Sequence, residues 1–224
     1  MESQGALEAY LKAAPIQYTR PLPGGGGHQE KKILILAGGV AVAAKPGHDP
    51  NFAQQAKCEV AAYRLAVELG MSKLVPTTVL RPVPGPNGNI EGSAQVLWPQ
   101  FVVAQVGGFT HTDCTPEVGW EIAVFDTLAA NTDRNDGNWG AITALPDAVL
   151  IDHGHCFTKS PNTTSLFFQH RHNQQIPSDL LNRVEAFVND AENTRLREVL
   201  DEPIVVQVME RARHLVQGGT LALP

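Results

Sequence analysis

The sequence predicts an α+β fold in two parts: a small antiparallel sheet with one helix, then a mainly helical part broken by one short hairpin. Three observations predict it. Short apolar runs bounded by Gly and Pro fill the first hundred positions, apolar residues fall at helical spacing from Thr115 onward, and an Asx-rich loop interrupts that second part. At 224 residues the chain is long enough for two small lobes that share a cleft.

In chain order, Gly5 to Ala13 reads as a short helix. Pro21-Leu22-Pro23 and the glycines Gly24 to Gly27 then punctuate the chain. Lys32 to Leu36 and Val40 to Lys45 read as strands joined at Gly38-Gly39, a hairpin-turn signal. Ala56 to Leu69 reads as a helix stopped by Gly70, with Glu59, Ala62, Ala66 and Leu69 on one face. Val75 to Arg81 and Ser93 to Trp98 read as strands, and the Pro- and Gly-rich stretch from Pro82 to Gly92 as a loop.

In the second part Thr115 suits an N-cap, Pro116 the first helical position and Glu117 the first turn. Val118, Ile122, Phe125 and Ala129 form the apolar stripe of that helix. The polar loop Asn131 to Asn138 follows, then a hairpin of Ala141 to Leu145 and Ala148 to Ile151 around Pro146-Asp147. Further helices start near Ser178 and Pro203.

Composition removes several function classes. The chain carries 17 Lys and Arg against 23 Asp and Glu, a net charge of −6, with no dense basic run, so nucleic acid is excluded as an expected partner. The three cysteines, Cys58, Cys114 and Cys156, are far apart and form no CxxC, which predicts reduced, buried thiols and a cytoplasmic protein. Met1 to Ala14 carries Glu2 and Glu8 and lacks the basic start and apolar run of a signal peptide, and no stretch reaches a membrane span.

The chemistry is expected at the mouth of the hairpin. Its two open ends are neighbours, and they carry Asn138 and Asp152, hard oxygen donors of the kind that hold Mg²⁺ beside phosphate. Asp133 lies in the same loop. Lys45 ends an apolar strand, where a charge is costly without a partner, and Glu59 on the following helix is the candidate partner. A lysine fixed in this way is a positive point for phosphates, and Gly24, Gly25, Gly26 and Gly27 are candidates to cover them with backbone N–H groups. Arg134 reads either as a catalytic cation or as the partner of a nearby carboxylate. His153-Gly154-His155 and His170-Arg171-His172 read as turn and surface histidines rather than a zinc site, because no HExxH or cysteine pair accompanies them.

These segments, in this order, resemble the signature set of the two-lobed kinase-like fold, and most closely its atypical branch of phosphatidylinositol kinases and HipA-type bacterial kinases. "GGVAVAAKPG" resembles the lysine strand and "CEVAAYRLAVELGMSKLVPTTVL" the glutamate helix with its following strand. "NTDRNDGNWG" is similar to the catalytic loop and "VLIDHGHCF" to the metal-binding aspartate turn. The resemblance runs from about Pro21 to Phe157. It implies an N-lobe over 1–97, a hinge over 98–104 and a C-lobe over 105–224. It also implies ATP and Mg²⁺ as cofactors, Asp133 as the catalytic aspartate, Asn138 and Asp152 as metal ligands, and adenine contacts at Leu97, Trp98 and Gln100. The chain departs from the family at Asn135, where histidine is frequent, and shows no activation-segment ending after Phe157.

The expected activity is transfer of the γ-phosphoryl group of ATP to a hydroxyl on a protein Ser or Thr or another soluble acceptor. Phosphatidylinositol phosphorylation, AMP transfer and a nucleotide-binding pseudokinase are the alternatives. No basic amphipathic helix marks a membrane dock, which favours a soluble acceptor over a lipid.

Overall fold

The computed structural model describes residues 2–22, 31–142, 148–158 and 163–223. The glycines Gly24 to Gly27 and the turn Pro146-Asp147 lie outside the described residues. Helix α1 (Glu2–Ala13) leads into a five-stranded antiparallel sheet of β1 (Ile16–Pro21), β2 (Lys32–Leu36), β3 (Ala41–Pro46), β4 (Thr78–Gly85) and β5 (Gly88–Val96) in the order β1-β2-β3-β5-β4. The hairpin expected at Gly38-Gly39 is present, with positive φ at both glycines.

Two features of this part differ from the sequence reading. The stretch from Pro82 to Gly92 is not a loop: β4 and β5 pair through it to Gly85↔Gly88. Pro82 and Pro84 are tolerated because β4 is an edge strand, where a missing N–H breaks no ladder. Strand β1, absent from the reading, supplies the opposite edge and is exposed along most of its length.

Helix α2 (Pro50–Glu68) starts six residues earlier than periodicity suggests. Asp49 caps it, its carboxylate accepting from the N–H groups of Asn51 and Phe52 at 2.9 and 3.0 Å, and Pro50 opens the first turn. Gly70 follows at φ +67, the left-handed stop expected of it. One apolar cluster joins α1 to the sheet through Leu11, Leu34, Leu36, Val42 and Ala44. The inner face of α2, with Ala62 and Leu65, belongs instead to the larger core of the helical part.

That part contains α3 (Ala104–Gly107), α4 (Pro116–Leu128), α5 (Leu166–Arg171), α6 (Ser178–Asn189) and α7 (Glu202–Gly218), with two 3₁₀ turns before α7. Thr115 caps α4 through the N–H of Val118, and Ile122, Phe125 and Ala129 are fully buried. A second sheet, β6 (Phe101–Val103), β7 (Trp139–Ile142) and β8 (Ala148–Leu150), lies in the order β6-β7-β8. Strand β6 occupies much of the stretch read as a hinge. Gly140 permits its close approach, since a Cβ there would collide with the carbonyl of Val102. Among the described residues no helix is long and apolar enough to cross a membrane.

Candidate nucleotide and metal site

Alternation along β3 turns Val42 and Ala44 into the core with α1 and leaves Lys45 on the opposite face, toward α2. There the Lys45 ammonium donates to the Glu59 carboxylate and, at 2.8 Å, to Asp152 Oδ1. Glu59 is 2% exposed. Gly92, opposite the end of β3, has no room for a side chain against the Lys45 carbonyl, so β5 packs tightly at this point.

Burial by itself disfavours each of these charges, and the partners reverse the outcome. Desolvation would lower the Lys45 pKa, but Glu59 and Asp152 raise it well above the ordinary lysine range. Desolvation would raise that of Glu59, but Lys45, helped by His153, pulls it down to about 2. Asp152 is likewise held below the usual carboxylate range by Lys45 and Lys31 against the effect of burial.

His153 is buried, contrary to its reading as a turn or surface residue. Its Nδ1 lies 3.6 Å from Glu59 Oε2 and its ring meets the Phe125 ring edge-on at 5.7 Å. Desolvation lowers its pKa, the more so because Arg134 lies nearby, although Glu59 opposes the shift. His155, two residues on, is exposed.

Asp152 stands two residues past the end of β8, at φ +56, a left-handed conformation that aspartate tolerates better than most residues. Its Oδ2 accepts from Lys31 Nζ at 2.8 Å. Sequence reasoning missed Lys31. Nothing in the chain separates it from Lys32 beside it, and only the folded β1-β2-β3 order brings it to Asp152.

The loop from Asn131 to Asn138 is organised by a residue the sequence did not flag. Asp126, at the inner end of α4, accepts from Asn131 Nδ2 at 3.0 Å and from Arg134 Nε and Nη2. Asn131 Oδ1 in turn accepts from the N–H of Asp133. Arg134 Nη1 donates to the carbonyls of Asn138 and Ile151, which stand opposite each other at the hairpin mouth. Arg134 is therefore a buried clamp, the second of its two expected roles.

Asn138 donates to the Asp133 carbonyl at 2.7 Å and to Asp133 Oδ2 at 3.0 Å, which turns its amide oxygen the other way. Asn135 donates to Asp133 Oδ1 at 2.9 Å and accepts from the N–H of Gly137, so in place of an imidazole it closes the turn around Asp133. The Ile151 N–H donates to the Asn138 carbonyl at 3.0 Å, so Asp152 is one residue beyond the strand partner of Asn138. The structure thus brings Lys45, Glu59 and Asp152 into direct contact and Asn138, Asp133 and Asp152 to one hairpin mouth.

Leu97, Trp98 and Gln100 connect the two sheets and make no hydrogen bond to this cluster among the described residues. The Leu97 N–H is already committed to the Ala41 carbonyl at 2.9 Å, and Gln100 is exposed at φ +66.

The donor set fits a nucleotide-borne divalent cation better than a resident metal. Among the described residues no three His, Cys, Asp or Glu side chains converge on one point. Asn138 and Asp152 supply one amide and one carboxylate, the small hard-oxygen set that suits Mg²⁺ when phosphate and water complete the shell. Both Asp152 oxygens already carry an ammonium group, so cations are favoured there. Beside Asp133 an open groove of about 300 Å³ is lined by Asp133, Arg134, Asn135, Asp136, Thr164 and Leu166.

No family model and no curated protein matches the chain. Solved structures do. Hydra Fam20 with sugar has a TM-score of 0.67 at 15% identity, covering 95% of this chain and 87% of its own. The Golgi casein kinase with Mn/ADP bound has a TM-score of 0.60 at 14% identity, covering 97% and 75%. The Helicobacter pylori proinflammatory kinase CtkA has a TM-score of 0.50 at 15% identity, covering 93% and 95%. At such identities the likeness is one of fold: the chain has a two-lobed, kinase-like α+β architecture.

Proposed function

We propose that this protein is a phosphotransferase that moves the γ-phosphoryl group of Mg²⁺-ATP to a hydroxyl acceptor. The observation that carries the reading is the Lys45 ammonium held between Glu59 and Asp152, with Asn138 and Asp133 at the same mouth. The fold it shares with the Golgi casein kinase, whose structure holds Mn and ADP, supports the same reading. Within that fold the motif order favours kinship with the phosphatidylinositol and HipA-type kinases.

In this reading 1–97 covers the nucleotide, 98–104 is the hinge, with Leu97, Trp98 and Gln100 near the adenine, and 105–224 carries the chemistry. Gly24 to Gly27 would cover the phosphates. Lys45, fixed by Glu59, holds the α- and β-phosphates, and Asn138 and Asp152 hold the cation. Mg²⁺ supplies charge neutralisation on the transferring phosphoryl group. Asp133, its carboxylate aimed by Asn135 and Asn138, orients the acceptor hydroxyl and takes its proton as the phosphorus–oxygen bond forms and ADP leaves. The groove beside Asp133 receives the acceptor, for which a protein Ser or Thr is our preferred class. Three buried, unpaired thiols suit a reducing, cytoplasmic setting.

The test is incubation with γ-labelled ATP and Mg²⁺, with and without an acceptor panel, followed by mass location of the product. Phosphate on a hydroxyl supports the reading. Adenylate on the acceptor would replace it with AMP transfer, and tight Mg²⁺-ATP binding without turnover would replace it with a pseudokinase.

A further inference from the structure

Asp152 has two carboxylate oxygens, and each carries a lysine: Lys45 on Oδ1 and Lys31 on Oδ2, both at 2.8 Å. If Asp152 ligates a cation, as the proposed function requires, the cation must share an oxygen with one of these ammonium groups or displace it. The two lysines differ in how they are held. Lys45 has a second carboxylate partner, Glu59, and a side chain 12% exposed at the end of a central strand. Lys31 is 21% exposed, and Asp152 is its one ion-pair partner among the described residues. Its backbone is tied to the end of β1 by the Leu22 N–H at 3.3 Å, so the side chain can swing while its root stays in place.

We infer that Lys31 is the group a divalent cation displaces from Asp152, and that the released ammonium then binds the terminal phosphates of the incoming nucleotide. A divalent cation and an ammonium group repel each other on one carboxylate oxygen, and the cation is the stronger partner for hard oxygen. The displaced Lys31 is left in the cleft beside a polyanion, where a charge-assisted hydrogen bond to phosphate replaces the one it lost. Lys31 thus has two opposed effects: it competes with metal in the empty site and binds nucleotide in the filled one.

The opposition makes the inference testable without turnover. Lys31→Met and Lys31→Gln are compared with wild type for Mn²⁺ binding by electron paramagnetic resonance without nucleotide, and for Mg²⁺-ATP and Mg²⁺-AMP binding by calorimetry. Loss of Lys31 is expected to tighten Mn²⁺ about tenfold and weaken Mg²⁺-ATP about tenfold, the scale of one hydrogen bond between charged groups. AMP, which lacks the terminal phosphates, should be affected less. Lys31→Arg should restore ATP affinity. Affinities that fall together, or that do not move while wild type binds Mg²⁺-ATP, overturn this inference alone. A wild-type protein that binds no Mg²⁺-ATP overturns the proposed function with it.

Discussion

Arg134 and Asp126 form an ion pair that solvent reaches on neither side, with Nη2 3.1 Å from Oδ1. The same guanidinium donates to both carbonyls at the hairpin mouth, so α4 and the β7-β8 hairpin are locked by one side chain. Removing one partner leaves the other charge buried and uncompensated. Asp126→Asn and Arg134→Met should each cost about 3–5 kcal/mol in urea unfolding. A loss below about 1 kcal/mol in both would show that the clamp is not what holds the loop.

Asp133 has a different standing. Its carboxylate is oriented by two amides and forms no ion pair among the described residues, and it borders the open groove. Asp133→Asn keeps the shape and removes the proton acceptor; its amide nitrogen costs only the bond from exposed Asn135, and Asn138 keeps its two acceptors. Turnover should fall by about 10²–10⁴ while ATP affinity and unfolding midpoint stay near wild type. Wild-type turnover in this variant would remove Asp133 from the proposed chemistry.

How much of this site was legible depended on what kind of relation each residue makes. Lys45 and Glu59 could be paired from sequence because a charge ending an apolar strand needs a partner and the next helix offers one. Asn138 and Asp152 could be paired because a hairpin returns on itself. Asp126 and Lys31 gave no such signal. Asp126 sits near the end of an apolar helix and is explained only by a guanidinium that folds back eight residues later. Lys31 reaches Asp152 across 121 residues. The early start of α2 is signalled by Asp49-Pro50, but helical periodicity favoured Ala56. The β4-β5 pairing was hidden because proline argues against a strand unless the strand is known to be an edge, which is a property of the whole sheet.

Glu59 gives a pH dependence with a definite sign. Its ordinary value is 4.5 and its folded value about 2, so the folded state favours the charged form. The stabilisation is complete above about pH 4.5 and drains away as pH falls toward 2. Glu59→Gln never has it. The unfolding midpoints of wild type and Glu59→Gln should therefore be well separated at pH 7 and converge on acidification through that window. A gap that stays constant from pH 7 to pH 3 would mean that the Lys45 pairing does not set the charge of Glu59.

Asp49 tests whether α2 is held mainly by its cap or by its packing. The Asp49 carboxylate satisfies two N–H groups of the first turn, which Asp49→Ala would leave to water at a cost of about 1 kcal/mol. Glu59 lies nearly three turns further along, where Val60, Ala61, Ala62 and Leu65 are buried in the larger core. Fraying of the first turn should therefore stop well short of it. Asp49→Ala is expected to lower stability by that amount with nucleotide affinity almost unchanged, and Asp49→Ser to recover most of the loss. A parallel fall in nucleotide affinity would mean that the cap, and not the core contacts of α2, keeps Glu59 against Lys45.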